Sequence, residues 1–71
     1  MAQDHDGVRG AASANEARSH GHGFEMALDR ALADAGQLGS GTFDVIVQQE
    51  AKVTVTNPGN IIEYSVTLKR N

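Results

Sequence analysis

FDVIVQQEAKVTVTNPGNIIEYSVTLK, Phe43 to Lys69, decides how this chain is read. From Phe43 to Thr56 the odd positions are Phe43, Val45, Val47, Gln49, Ala51, Val53 and Val55, six of seven apolar. The even positions are polar except for Ile46. A period of two marks a strand with one buried face. After NPGN the alternation resumes, with Ile62, Tyr64, Val66 and Leu68 set against Glu63, Ser65, Thr67 and Lys69. Pro58 presets its own φ and Gly59 accepts a positive one, so the stretch reads as two long strands, 43–56 and 61–69, joined by a tight type II reversal.

Parity sets the expected register. A four-residue loop from Asn57 puts residue 56 opposite 61, Val55 opposite Ile62, Val53 opposite Tyr64 and Ala51 opposite Val66. Both apolar sets then share one face. An odd loop would turn one strand's apolar set toward the other's polar set.

Upstream the period changes to 3.6. Phe24, Ala27, Leu28, Ala31, Leu32 and Ala35 fall on one face of a helix, with Glu25, Asp29, Arg30 and Asp34 mostly elsewhere. Gly36 stands where a left-handed cap would end that helix at Ala35. GQLGSGT, Gly36 to Thr42, reads as a connection; its glycines resemble a phosphate loop, but it lacks GK[ST] and follows a helix instead of opening one. Residues 1–23 are rich in small and polar types and show no sustained period, which reads as a disordered tail. Within that tail, Ser13 to Glu16 match the S-x-x-E capping box of a helix start.

The expected domain is therefore α+β: one amphipathic helix, about 24–35, packed on a long antiparallel hairpin. Its core and contact surface draw on Phe24, Leu28 and Leu32 from the helix, on Phe43, Val45, Val47, Val53 and Val55 from the first strand, and on Ile62, Tyr64, Val66 and Leu68 from the second. Length poses a problem for this arrangement. Fourteen strand residues reach roughly 46 Å, whereas a twelve-residue helix spans about 18 Å. A two-stranded sheet with open edges is also marginal alone. The uncovered apolar face implies a homo-oligomer, unless a bulge near Gln49 and Ala51 folds the hairpin over its own helix.

Composition removes several classes of function. In 71 residues there is no cysteine and no tryptophan, the net charge is −3, and the six basic residues are scattered. Neither a disulfide framework nor a nucleic-acid surface is expected. No apolar run approaches a membrane span, and MAQDHDGVRG has neither the basic nor the apolar part of a leader, so the expected compartment is the cytoplasm.

The helix at 24–35, the Phe-acidic-Val start at Phe43, Asp44 and Val45, and the ending GNIIEYSVTLK, Gly59 to Lys69, together resemble dodecins, small flavin-binding proteins of β-α-β-β fold that assemble as hollow dodecamers. The resemblance implies the fold and an oligomeric shell; a flavin of the family's kind would lie near Phe43 and Tyr64, with Ser65 at a flavin-contact position of the last strand, but the departures of this chain leave no cofactor expected. The chain departs from that pattern at Thr42, where the family places a tryptophan, at Ser65, where it places a glutamine, and in residues 1–23, where its first strand would lie.

Other chemistry is sparse. His20 and His22 are the candidate metal ligands, but no rigid element presents them and no metal site is expected. Glu50 and Glu63 share a strand face as solvated charges, and Ser19 beside His20 lacks a third partner. The sequence thus reads as a non-enzymatic self-associating module whose hairpin completes a larger sheet or oligomer. The alternatives are a dodecin-like small-ligand carrier and an accessory subunit of a larger protein.

Overall fold

A computed structural model describes residues 7–71. The order of elements is β1 (Gly7–Ser13), α1 (Ala14–His20), α2 (Gly23–Ala33), a 3₁₀ turn (Ala35–Leu38), β2 (Val45–Thr54) and β3 (Asn60–Arg70). The three strands form one antiparallel sheet in the order β1-β3-β2, so the last strand in the chain is the central one. The fold is α+β. Among the described residues, no helix is long and apolar enough to cross a membrane.

The expected disordered tail is corrected for residues 7–20, which form β1 and α1; residues 1–6 lie outside the described part. β1 pairs with β3 from Gly7 opposite Lys69 to Ser13 opposite Glu63. Its inward positions are Val8, Gly10 and Ala12, all buried. Two of the three are too small to register as the apolar half of a strand pattern. Their smallness has a structural cause: a Cβ at Gly10 would fall on the main chain of Ala27 and Ala31 in α2. The helix therefore rests almost directly on the strand, and Ala27 and Ala31 are fully buried in that contact.

The capping box anticipated at Ser13 is present. The Glu16 backbone N–H donates to Ser13 Oγ, and the Ser13 N–H donates to Glu16 Oε1. This box turns the chain from strand into α1, which ends at Gly21 in the left-handed region, φ 82°. Glu16 also receives both guanidinium branches of Arg30 at 2.9 Å, and Arg30 donates to the Ala11 carbonyl at 2.8 Å. One arginine thereby ties α2 to α1 and to the edge of β1.

α2 begins one residue earlier and ends two residues earlier than the expected 24–35. Asp34 caps it, and its N–H donates to the carbonyls of Ala31 and Leu32. The chain tightens into the 3₁₀ turn through a hydrogen bond from the Gln37 N–H to the Asp34 carbonyl. Gly36 lies inside that turn and is not left-handed; the positive φ angles nearby belong to Gly39 and Gly41.

The hairpin forms with shorter first-strand limits than expected, and its register is corrected. Val47 pairs with Leu68, Gln49 with Val66 and Ala51 with Tyr64. Each partner is displaced by two residues from the sequence expectation. An even displacement leaves the facing of side chains unchanged, so the apolar sets still coincide. Beyond Lys52 opposite Glu63 the ladder jumps to Val53 opposite Ile61, which leaves Ile62 as the extra residue of a β-bulge on β3. The loop is consequently five residues, Val55 to Gly59, with an odd count that the bulge absorbs. Gly59 has no positive φ, which rules out the type II turn; the Asn57–Pro58 peptide is cis. Thr56 Oγ1 closes the loop by donating to the Pro58 carbonyl.

The core lies under α2, where Val66 and Leu68 are almost completely buried with Ala27 and Ala31. Phe24, Leu28, Leu38 and Tyr64 pack around it. Phe24 and Tyr64 meet edge to face with centroids 5.0 Å apart.

Candidate functional site

α2 covers β1 and β3. Along its whole length β2 is exposed. Val47 shares a face with its cross-strand partner Leu68, yet Val47 is 47% exposed and Leu68 2%. Val45 and Val53 on the same face of β2 are also exposed, opposite Arg70 and Ile61, which are exposed themselves. On α2, Leu32 is likewise left 52% exposed. The sheet is thus wider than the helix that should cover it.

A second apolar region lies at the tip of the hairpin. Val55 is 90% exposed, and Ile61 and Ile62 are about half-exposed. Between that tip and α1 runs a groove of about 440 Å³, floored by Ile61 and Ile62 and bordered by Ser13, Asn15 and Arg18. Arg18 is held in place by a 2.6 Å hydrogen bond to Asn15 Oδ1. Ile61 escaped the sequence reading because it stands beyond the bulge, outside the simple alternation; the Ile61–Ile62 doublet was the available signal.

On the opposite face of the sheet, Arg9, Glu50, Lys52, Glu63 and Ser65 surround an open depression of about 490 Å³. Arg9 pairs with Glu63 at 3.3 Å, and Ser65 donates to the Glu50 carbonyl at 3.4 Å. Ser65 is buried by these long neighbours, and its hydroxyl is already occupied. The arrangement is a set of cross-strand charges in water, which contributes little stability.

The strongest electrostatic feature lies elsewhere. The Arg30 guanidinium, with the Ser13 N–H, lowers the Glu16 carboxyl from its ordinary 4.5 to about 2. This pair ties α1 to α2, which is a structural role.

The sequence candidates for ligand binding are not gathered within one chain. Phe43 lies just before β2, where Arg70 stacks on its ring at 4.1 Å to the centroid and also donates to the Leu38 carbonyl. Tyr64 stands opposite Ala51, eight residues along the hairpin from Phe43, or about 26 Å in extended chain. Ser65, its neighbour, faces the other side of the sheet. His20 Nδ1 lies 3.0 Å from the Glu16 carbonyl, and His22 pairs with Glu25 at 3.0 Å. Among the described residues no three metal-ligating side chains converge. Ser19 Oγ donates to the Asn15 carbonyl.

Comparison with protein-family models, with characterised proteins and with solved structures found no match for this chain.

Proposed function

We propose that this chain is a non-enzymatic, self-associating module whose β-hairpin completes a larger sheet or oligomer. One observation carries the reading: β2 is exposed from end to end although the cross-strand residues on its inner side, Val66 and Leu68, form the core. An apolar strand face left in water loses roughly 25 cal/mol for every Å² that burial would remove from solvent. Two further features support it. Among the described residues β2 is a free edge of the sheet, and together they form a thin slab of 43 × 28 × 17 Å. Light scattering on the purified chain at micromolar concentration tests the proposal. An assembly mass of at least twice 7.5 kDa is expected; a monomer at all concentrations overturns it.

A dodecin-like small-ligand carrier is the second reading, favoured by β1. That strand supplies the element preceding the helix that the resemblance requires and that the sequence alone did not reveal. Flavin titration tests it: quenched fluorescence on mixing supports a ligand near Phe43 and Tyr64 of adjoining copies, and unchanged fluorescence at high protein concentration removes it.

A further inference from the structure

We propose that two copies interlock about a two-fold axis, each laying its β2 over the uncovered β2 of the other in the step beside α2. This inference rests on the self-association proposed above and specifies its surface.

The step has a wall and a floor. Arg30 reaches the Ala11 carbonyl, so its side of α2 faces β1. At 100° per residue, Leu28 and Leu32 each lie about 160° around the helix from Arg30. They form the flank above β2. The floor is the helix side of β2, with Val45, Val47 and Ala51 exposed. Asp44, Glu50 and Lys52 alternate onto the opposite face, so from Val47 to Val53 the floor carries no charged side chain; Arg70, opposite Val45, lies at its open end on the Phe43 ring. A chain of net charge −3 can therefore meet its own copy along that stretch without opposing like charges.

The height of the step selects the occupant. A layer packed on a sheet stands about 10 Å above it, so the ledge beside α2 is as deep as one further sheet requires. A two-fold rotation brings the second copy's sheet to the level of the first copy's α2. The same operation places the second α2 beside the first β2. Both steps are then filled at once, as an isologous interface demands. Only an axis along the strand direction achieves this; an axis across the strands would drive each α2 through the other sheet. The two β2 strands consequently run alongside one another, and Val47 meets Val47 of the second copy.

Edge-to-edge pairing of β2 strands serves the valines less well. It would separate the two α2 helices by about four strand spacings, roughly 19 Å, where touching helices need 8–10 Å. The floor would stay wet. In the interlocked form the contact is a strip about 33 Å long and about 15 Å wide, or roughly 1,000 Å² counted on both copies. That is the lower bound for a specific interface, so the dimer should dissociate on dilution.

The test compares two lysines on the same strand. Val47→Lys puts like charges face to face and is expected to give a monomer where the native chain is dimeric. Ile46→Lys, on the outer face, is expected to keep the native mass. Mixing Val47→Lys with Val47→Glu in equal amounts should restore a dimer that neither forms alone, an outcome a simple folding defect cannot produce. Should Val47→Lys fail to fold, Leu32→Asp on the exposed wall of α2 reads the same contact. An assembly that survives Val47→Lys but is lost with Ile46→Lys, or folded variants that stay monomeric on mixing, overturns the interlock while leaving self-association in place. A native chain that is monomeric at every concentration overturns both.

Discussion

The ring of Tyr64 occupies the space in which residue 23 would carry a Cβ, and Gly23 opens α2 at that point. The helix start can therefore sit flat against the aromatic side chain of the central strand, and Phe24 completes the contact from the edge.

Gly23→Ala is expected to destabilise the fold. Alanine gains up to about 1 kcal/mol as a helix former, whereas overpacking against a ring fixed by Phe24 costs about 1–3 kcal/mol. A net fall of several degrees in Tm should follow. Gly10→Ala should be more damaging, because its Cβ meets the main chain of α2. Gly36→Ala meets nothing within 4 Å and should be neutral or slightly stabilising. Thermal melts of the three variants give this ranking.

Glu16 makes stability depend on acid. Its carboxyl is lowered to about 2 in the folded chain by Arg30 and the Ser13 N–H, so the contribution is complete above the ordinary 4.5 and is lost as pH falls toward 2. Glu16→Gln should lower Tm at neutral pH and flatten the Tm profile between pH 5 and 2. A profile as steep as the native one would assign the acid sensitivity to other carboxylates.

Leu68→Ala should unfold the domain or nearly so. Leu68 is among the largest fully buried side chains, and such truncations cost about 2–5 kcal/mol against a total stability that is small in a chain of this size. Val47→Ala, its exposed cross-strand partner, should leave the melting of the monomer within about 0.5 kcal/mol of native. Urea denaturation at low protein concentration separates the two.

Phe43→Leu removes the surface on which Arg70 stacks. A loss of about 0.5–1 kcal/mol is expected, confined to the open end of the hairpin. Hydrogen exchange should quicken at Asn71, whose N–H donates to the Asp44 carbonyl, and remain slow at Val66.

The hairpin and the facing of its side chains were legible because alternation is a property of side-chain type, which sequence states directly. The register was not, since it depended on how the chain turns at Pro58 and on the single extra residue at Ile62. β1 was hidden for a different reason. Strand propensity reflects side chains packing on a pleated surface, and here the helix comes so close that Gly10 and Ala12 are what fits. Ser13 and Glu16 did announce α1, through a capping box whose geometry is local. The exposed strip of β2 could be suspected from the mismatch of lengths, but which strand lay bare followed only from β1 taking its place beneath α2.

β3 occupies the centre of the sheet although it comes last along the chain, and this orders events during synthesis. Every rung of both ladders ends on a residue between Asn60 and Arg70. At 5–20 residues per second, β1 leaves the ribosome seconds before its partner exists. α1 and α2, whose backbone hydrogen bonds are local, can begin to form in that interval, while Gly7 awaits a mate 62 positions downstream at Lys69. The sheet cannot be assembled piecemeal from the amino end: it is written in one step, when the final strand arrives to join two edges that have never touched each other.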